Sequence, residues 1–196
     1  MGDDKPLAKD IMQALYFVTE TGIDIPNRTI YLAEEIEEVG GVSSALLMAF
    51  KAFEKTPEPI TIYIDTPGGS MAQMFAIYDI ITSSPNEVIG IGVGEIASAG
   101  VLLLACCDKR YVTENAVLMS HQPTVEGQTL RLDEAKARRR WEDWNQERWA
   151  ELMARHTPKD KTYWNRITKK EAELWLLGGE EIVAAGLADE VIKPVV

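Results

Sequence analysis

The sequence predicts an α/β domain built on a mainly parallel sheet. Three observations predict it. Short β-branched runs such as "PITIYID" recur, apolar stretches of helical length lie between them, and the alternation starts at Arg28 and is sustained. Parallel strands need long crossover connections, and helices fill those connections here. At 196 residues the chain suits one domain, and residues 1–196 are read as a single unit.

In chain order, the first ten residues show no apolar periodicity and are expected to be mobile, within a variable segment of residues 1–20. "IMQALYFVTETG" is apolar with mixed periodicity, which leaves helix and strand both open. "RTIYL" reads as a buried strand, "VGGVSSALLMAFKAFEK" as an amphipathic helix and "PITIYID" as a second strand. The helix "SMAQMFAIYDIITSS" leads to the strand "EVIGIGVGEIA", the apolar helix "SAGVLLLACC" and the strand "KRYVTENAVLMSH", which a turn at "TEN" interrupts.

Residues 130–156 read as one long helix with Leu132, Trp141, Trp144, Trp149 and Leu152 among many charges. Trp141 and Trp144 share a face that continues to Leu152, and Trp149 lies about a quarter turn away from Trp141 at helical periodicity. Such a stripe fits either a core contact or a partner subunit, because bulky aromatics favour interfaces.

Twenty basic and 31 acidic residues give a net charge of −11, which disfavours nucleic acid and anionic membranes as partners. The run "KARRR" at residues 136–140 is flanked at helical spacing by Asp133, Glu134, Glu142 and Asp143, so it reads as a salt-bridged solvated face. Cys106 and Cys107 are adjacent, which argues against an ordinary structural disulfide and for a reducing compartment. The acidic start and the lack of an 18-residue apolar run point to a cytoplasmic protein with no membrane segment.

Only two histidines could serve as an imidazole base. His121 closes the apolar strand in "VLMSHQP", at the kind of strand end where α/β folds place their sites. His156 ends the long helix two residues before Pro158, where a cation suits the helix dipole, and it reads as a terminator. Ser98 stands where a glycine-rich strand meets an apolar helix. There it could be an ordinary N-cap or a nucleophile, with small neighbours Ala97, Ala99 and Gly100 admitting a substrate backbone. The turn at Pro67, Gly68 and Gly69 could be only a turn, or could supply an oxyanion donor.

Together these segments resemble the Clp protease proteolytic subunit family. "IYIDTPGGSMAQMFAIYDII" is similar to its strand, glycine turn and helix, and "GEIASAGVLLL" to its nucleophile segment. "VLMSHQP" with Gly127 and Gln128 is similar to its base motif, and "GEEIVAAGLADEVI" to its closing helix and strand. The likeness covers residues 28–192. It implies a fold of stacked ββα units, shared with the crotonases, and a projecting handle helix in residues 122–156. That position favours the interface reading of the tryptophans.

The resemblance also implies a serine endopeptidase that forms an acyl-enzyme, with Ser98 as nucleophile, His121 as general base and the amides of Gly69 and Ala99 as oxyanion hole. The family's third member is an Asp, and "KKEAELWLLGGEE" has none. Matching Trp175 and Leu176 to the family's apolar step points to Glu173, and shifting the gap points to Glu171. The alternative for both is a carboxylate on a helix surface. The family further implies homo-heptameric rings stacked as a tetradecamer, fed with unfolded polypeptide by an AAA+ unfoldase. ATP would be used only by that partner, and the chain itself would need no cofactor and no metal. The family's axial-loop sequence is not evident in the first twenty residues. A crotonase-like acyl-CoA enzyme and a non-catalytic ring subunit are the competing readings.

Overall fold

The computed structural model describes residues 4–37, 41–121, 131–170 and 173–193. The chain opens with α1 (Asp4–Thr21), then β1 (Ile23–Asp24), β2 (Thr29–Leu32), α2 (Val42–Phe53), β3 (Ile60–Thr66) and α3 (Met71–Thr82). β4 (Val88–Ala97), α4 (Ala99–Ala105), β5 (Lys109–Thr113) and β6 (Val117–His121) follow. α5 (Leu132–His156), α6 (Lys161–Lys170), β7 (Glu173–Leu177), α7 (Gly179–Ala184) and β8 (Glu190–Ile192) complete it. The fold is α/β with a mainly parallel sheet in the order β1-β2-β3-β4-β5-β8.

β4 carries the topology. Its first half pairs with β5 through Ile89 to Gly92, and its second half pairs with β6 through Glu95 to Ala97. The switch occurs at Gly94, whose φ of 56° is left-handed and whose missing Cβ would lie 2.5 Å from Asp65 Oδ1. That carboxylate accepts the Glu95 N–H at 2.9 Å, so Asp65 pins the kink. β6 then pairs antiparallel with β7.

The core follows the two periodicities. Ile60, Ile62 and Ile64 alternate inward along β3, and α4, with Val101, Leu102, Leu103 and Leu104 all fully buried, runs through the centre. Gly90 and Gly100 let elements meet closely: a Cβ at Gly100 would stand 2.8 Å from Thr66 Cγ2 on β3.

Some expectations resolve differently. α1 settles the open identity of "IMQALYFVTETG" as helix. It begins at Asp4, well inside the stretch expected to be mobile, because Pro6 falls in the first turn, where no intrahelical N–H is required. Glu173 opens a strand and is no helix-surface carboxylate. α6 was not foreseen; Asp160 starts it by accepting the Tyr163 N–H at 2.7 Å.

α5 spans 25 residues, about 37 Å, and its halves differ. Arg138–Glu142 at 3.0 Å and Arg139–Asp143 at 3.4 Å pair along the exposed first half. The second half buries Trp149, Ala150, Leu152 and Met153. The tryptophans therefore divide: Trp149 meets Trp164 edge-on at 5.6 Å in the core, Trp144 leans on Phe75 at 5.7 Å, and Trp141 is half exposed. At the end of α5, His156 Nε2 lies 3.0 Å from the Tyr78 hydroxyl, and burial with Arg110 and Arg155 nearby pushes its pKa down. The neutral imidazole is favoured there over the cation that the helix dipole alone would select.

Cys106 and Cys107 are free and buried, and burial pushes the Cys106 thiol up. Among the described residues no helix is long and apolar enough to cross a membrane.

Candidate active site

Ser98 sits at the step from β4 into α4, in the N-cap position, with φ 53° and ψ −112°. A non-glycine residue rarely adopts that backbone, and its cost persists only where the surroundings enforce it. The enforcement is visible: the Ser98 N–H donates to Met119 O at 2.7 Å on β6, and Ser98 O accepts the Val101 N–H at 3.2 Å. The side chain makes no capping hydrogen bond. An N-cap serine normally spends its hydroxyl on the first helical turn, and this one does not.

The Pro67–Gly69 turn lies against it. Gly68 (φ 98°) is buried, and a Cβ there would come within 2.5 Å of Ser98 Cβ. Thr66, fully buried, donates to Glu34 O at 2.6 Å and accepts the Gly68 N–H at 3.1 Å, which fixes the turn from below. Gly69 forms a parallel bridge with Ile36: the Ile36 N–H donates to Gly68 O and the Ser70 N–H to Ile36 O, both at 2.7 Å. In such a bridge the central residue's own N–H points away from its partner. The Gly69 amide is thereby turned off the Ile36 segment, and the Ala99 amide, first in α4, has no intrahelical acceptor.

Ser98, His121, Gly69 and Ala99 line one cavity of about 500 Å³. His121 is half-buried at the end of β6, two residues beyond the Met119 carbonyl that holds Ser98. Among the described residues, the Ser98 hydroxyl and the His121 ring are not hydrogen-bonded to each other. Catalytic contacts are commonly loose in a ligand-free enzyme.

Glu173 is the direct cross-strand partner of His121 in the antiparallel β6/β7 pair, which sets both side chains on one face. Its carboxylate is turned aside, accepting the Trp175 Nε1–H at 2.7 Å. Glu171 lies outside the described residues, as do Gly127 and Gln128.

The remaining walls come from α3 and α5, with Met71, Met74, Trp141, Asn145 and Trp149 among them. No motif in the sequence ties these side chains to the site. Their only signal was the helical spacing of Trp141, Asn145 and Trp149, four residues apart.

The Clp protease family matches residues 13–195 of this chain. The ATP-dependent Clp protease proteolytic subunit 3 of Frankia casuarinae is 32% identical over 176 residues, covering 86% of this chain and 78% of the relative. The identically named protein of Synechococcus sp. is 32% identical over 185 residues, covering 89% and 86%. The proteolytic subunit 1 of Leifsonia xyli is 37% identical over 101 residues, about half of each chain. With a family match spanning nearly its whole length and a fold to suit, the chain belongs to the Clp protease family and is a protease of that type.

Proposed function

We propose that the chain is a serine endopeptidase acting through an acyl-enzyme, with Ser98 as nucleophile, His121 as general base and the Gly69 and Ala99 amides as oxyanion donors. The observation that carries this reading is the strained Ser98 backbone, with a hydroxyl that makes no capping hydrogen bond, in one cavity with His121, Gly69 and Ala99. Ser98 Oγ attacks the scissile carbonyl carbon while His121 takes its proton. The oxygen gains negative charge facing the Gly69 and Ala99 N–H groups. The C–N bond then breaks, and the imidazolium returns the proton to the leaving amine. Water, deprotonated by the same imidazole, hydrolyses the ester and frees Ser98. Glu173, rotated from Trp175 toward His121, orients and stabilises the imidazolium.

Family membership supports the rest of the proposal: heptameric rings of this chain, stacked in pairs around a chamber, receive unfolded polypeptide from an AAA+ ATPase in the cytoplasm. ATP is consumed by that partner alone, and hydrolysis here uses no metal or cofactor. Incubation of the assembled protein with an unstructured polypeptide is the test. Cleavage by the wild type and its loss in Ser98→Ala support the reading; wild-type protein that assembles and does not cleave overturns it.

A further inference from the structure

The Gly69 amide serves as an oxyanion donor only when its peptide faces the cavity, and the glycine turn does not enforce that by itself. With φ 98° at Gly68 and 139° at Gly69, the peptide between them can rotate at little steric cost. That peptide is trans, so its C=O and N–H point in opposite directions. Whatever holds Gly68 O therefore aims the Gly69 N–H. The Ile36 N–H holds it, at 2.7 Å, from residues 34–36, which are irregular apart from the bridge to Gly69.

Thr66 joins that segment to the turn. Its hydroxyl can donate once and accept, and it does both: it donates to Glu34 O at 2.6 Å and accepts the Gly68 N–H at 3.1 Å. The first bond fixes residues 34–36, and with them the Ile36 N–H that holds Gly68 O. The second fixes the peptide on the other side of Gly68. The methyl meets α4 where that helix has no side chain, since a Cβ at Gly100 would lie 2.8 Å from Thr66 Cγ2. One fully buried residue thus touches the segment, the turn and the helix whose first amide, that of Ala99, is the second donor. Valine would fill the same space, and only the two hydrogen bonds require the hydroxyl.

We infer that Thr66 is the positioning residue of the oxyanion hole, its hydroxyl setting the direction of the Gly69 N–H. The inference rests on the endopeptidase reading above. A misdirected amide weakens the transition state, whose oxygen is charged, far more than the bound substrate, whose oxygen is not. Steady-state hydrolysis of an unstructured peptide by the assembled variants tests it. Thr66→Val is expected to lower kcat about tenfold or more while KM stays within about twofold, and Thr66→Ser to recover most of the loss. If Thr66→Val does not assemble, Thr66→Ala against Thr66→Ser decides, because those two differ by the hydroxyl alone. Full kcat without the hydroxyl, a loss confined to KM, or an equal loss of kcat in Thr66→Ser overturns the inference and leaves the endopeptidase reading intact. Absence of cleavage by the wild type, together with absence of Ser98 acylation by a fluorophosphonate, overturns both.

Discussion

His121 and Glu173 face each other across the β6/β7 pair, yet the Glu173 carboxylate is held by the indole of Trp175, 2.7 Å away. The indole N–H thus takes up the carboxylate that the register sets opposite His121. Glu173→Gln is expected to lower kcat by about 10²-fold or more, because the amide cannot stabilise an imidazolium. Trp175→Phe removes the competing donor and is expected to raise kcat/KM, by up to about tenfold. Steady-state peptide hydrolysis measures both. A large loss in Glu171→Gln with full activity in Glu173→Gln would move the third role to Glu171.

Gly68→Ala tests the contact between the glycine turn and the nucleophile. The added methyl would stand 2.5 Å from Ser98 Cβ and 2.9 Å from Ala97 O, on a backbone with φ 98°. The turn or Ser98 must shift. Displacement of this order is expected to cost about 10²-fold in kcat, with a thermal destabilisation of about 1–3 kcal/mol. Hydrolysis and melting curves of the assembled variant give the two numbers, and unchanged kcat would show that Ser98 tolerates the shift.

Leu102→Ala probes the core beneath the site. Leu102 is fully buried in α4, the helix that Ser98 begins, and its truncation leaves a void in close-packed surroundings. A loss of about 2–5 kcal/mol is expected in denaturant unfolding.

His156 predicts a pH dependence of stability. Burial, Arg110 and Arg155 hold its pKa below the ordinary value, so the unfolded chain takes up a proton at higher pH than the folded one. Its contribution is full above the unfolded pKa of about 6.5 and is lost as pH falls from there through the folded value. The melting temperature should therefore fall on acidification from about pH 7.5 to 5.5, and fall less in His156→Gln.

Much of the architecture was legible because it rests on periodicity. The alternating isoleucines of β3 and the unbroken apolar run of α4 each allow one buried arrangement. The strand ending at His121 was readable for the same reason, and the turn at Pro67–Gly69 was readable from its proline and paired glycines. What local sequence does not encode is pairing. That β4 divides its two halves between β5 and β6 depends on Gly94 and Asp65, thirty residues apart in the chain. The sequence names Glu173 for the third role only through the family resemblance, with Glu171 and a helix-surface carboxylate as alternatives. It takes the β6/β7 register to set Glu173 opposite His121. Asn145 sits among charged residues at helical spacing, and only the meeting of α5 with the cavity wall shows that it is buried.

The central claim is that Ser98 is a nucleophile activated within this cavity. Treatment of the assembled protein with a fluorophosphonate, followed by peptide mapping, tests it most directly. The account predicts one covalent adduct on Ser98, abolished in Ser98→Ala and slowed by about 10²-fold or more in His121→Ala. Wild-type protein that assembles and stays unlabelled, or label that persists in Ser98→Ala, would contradict it.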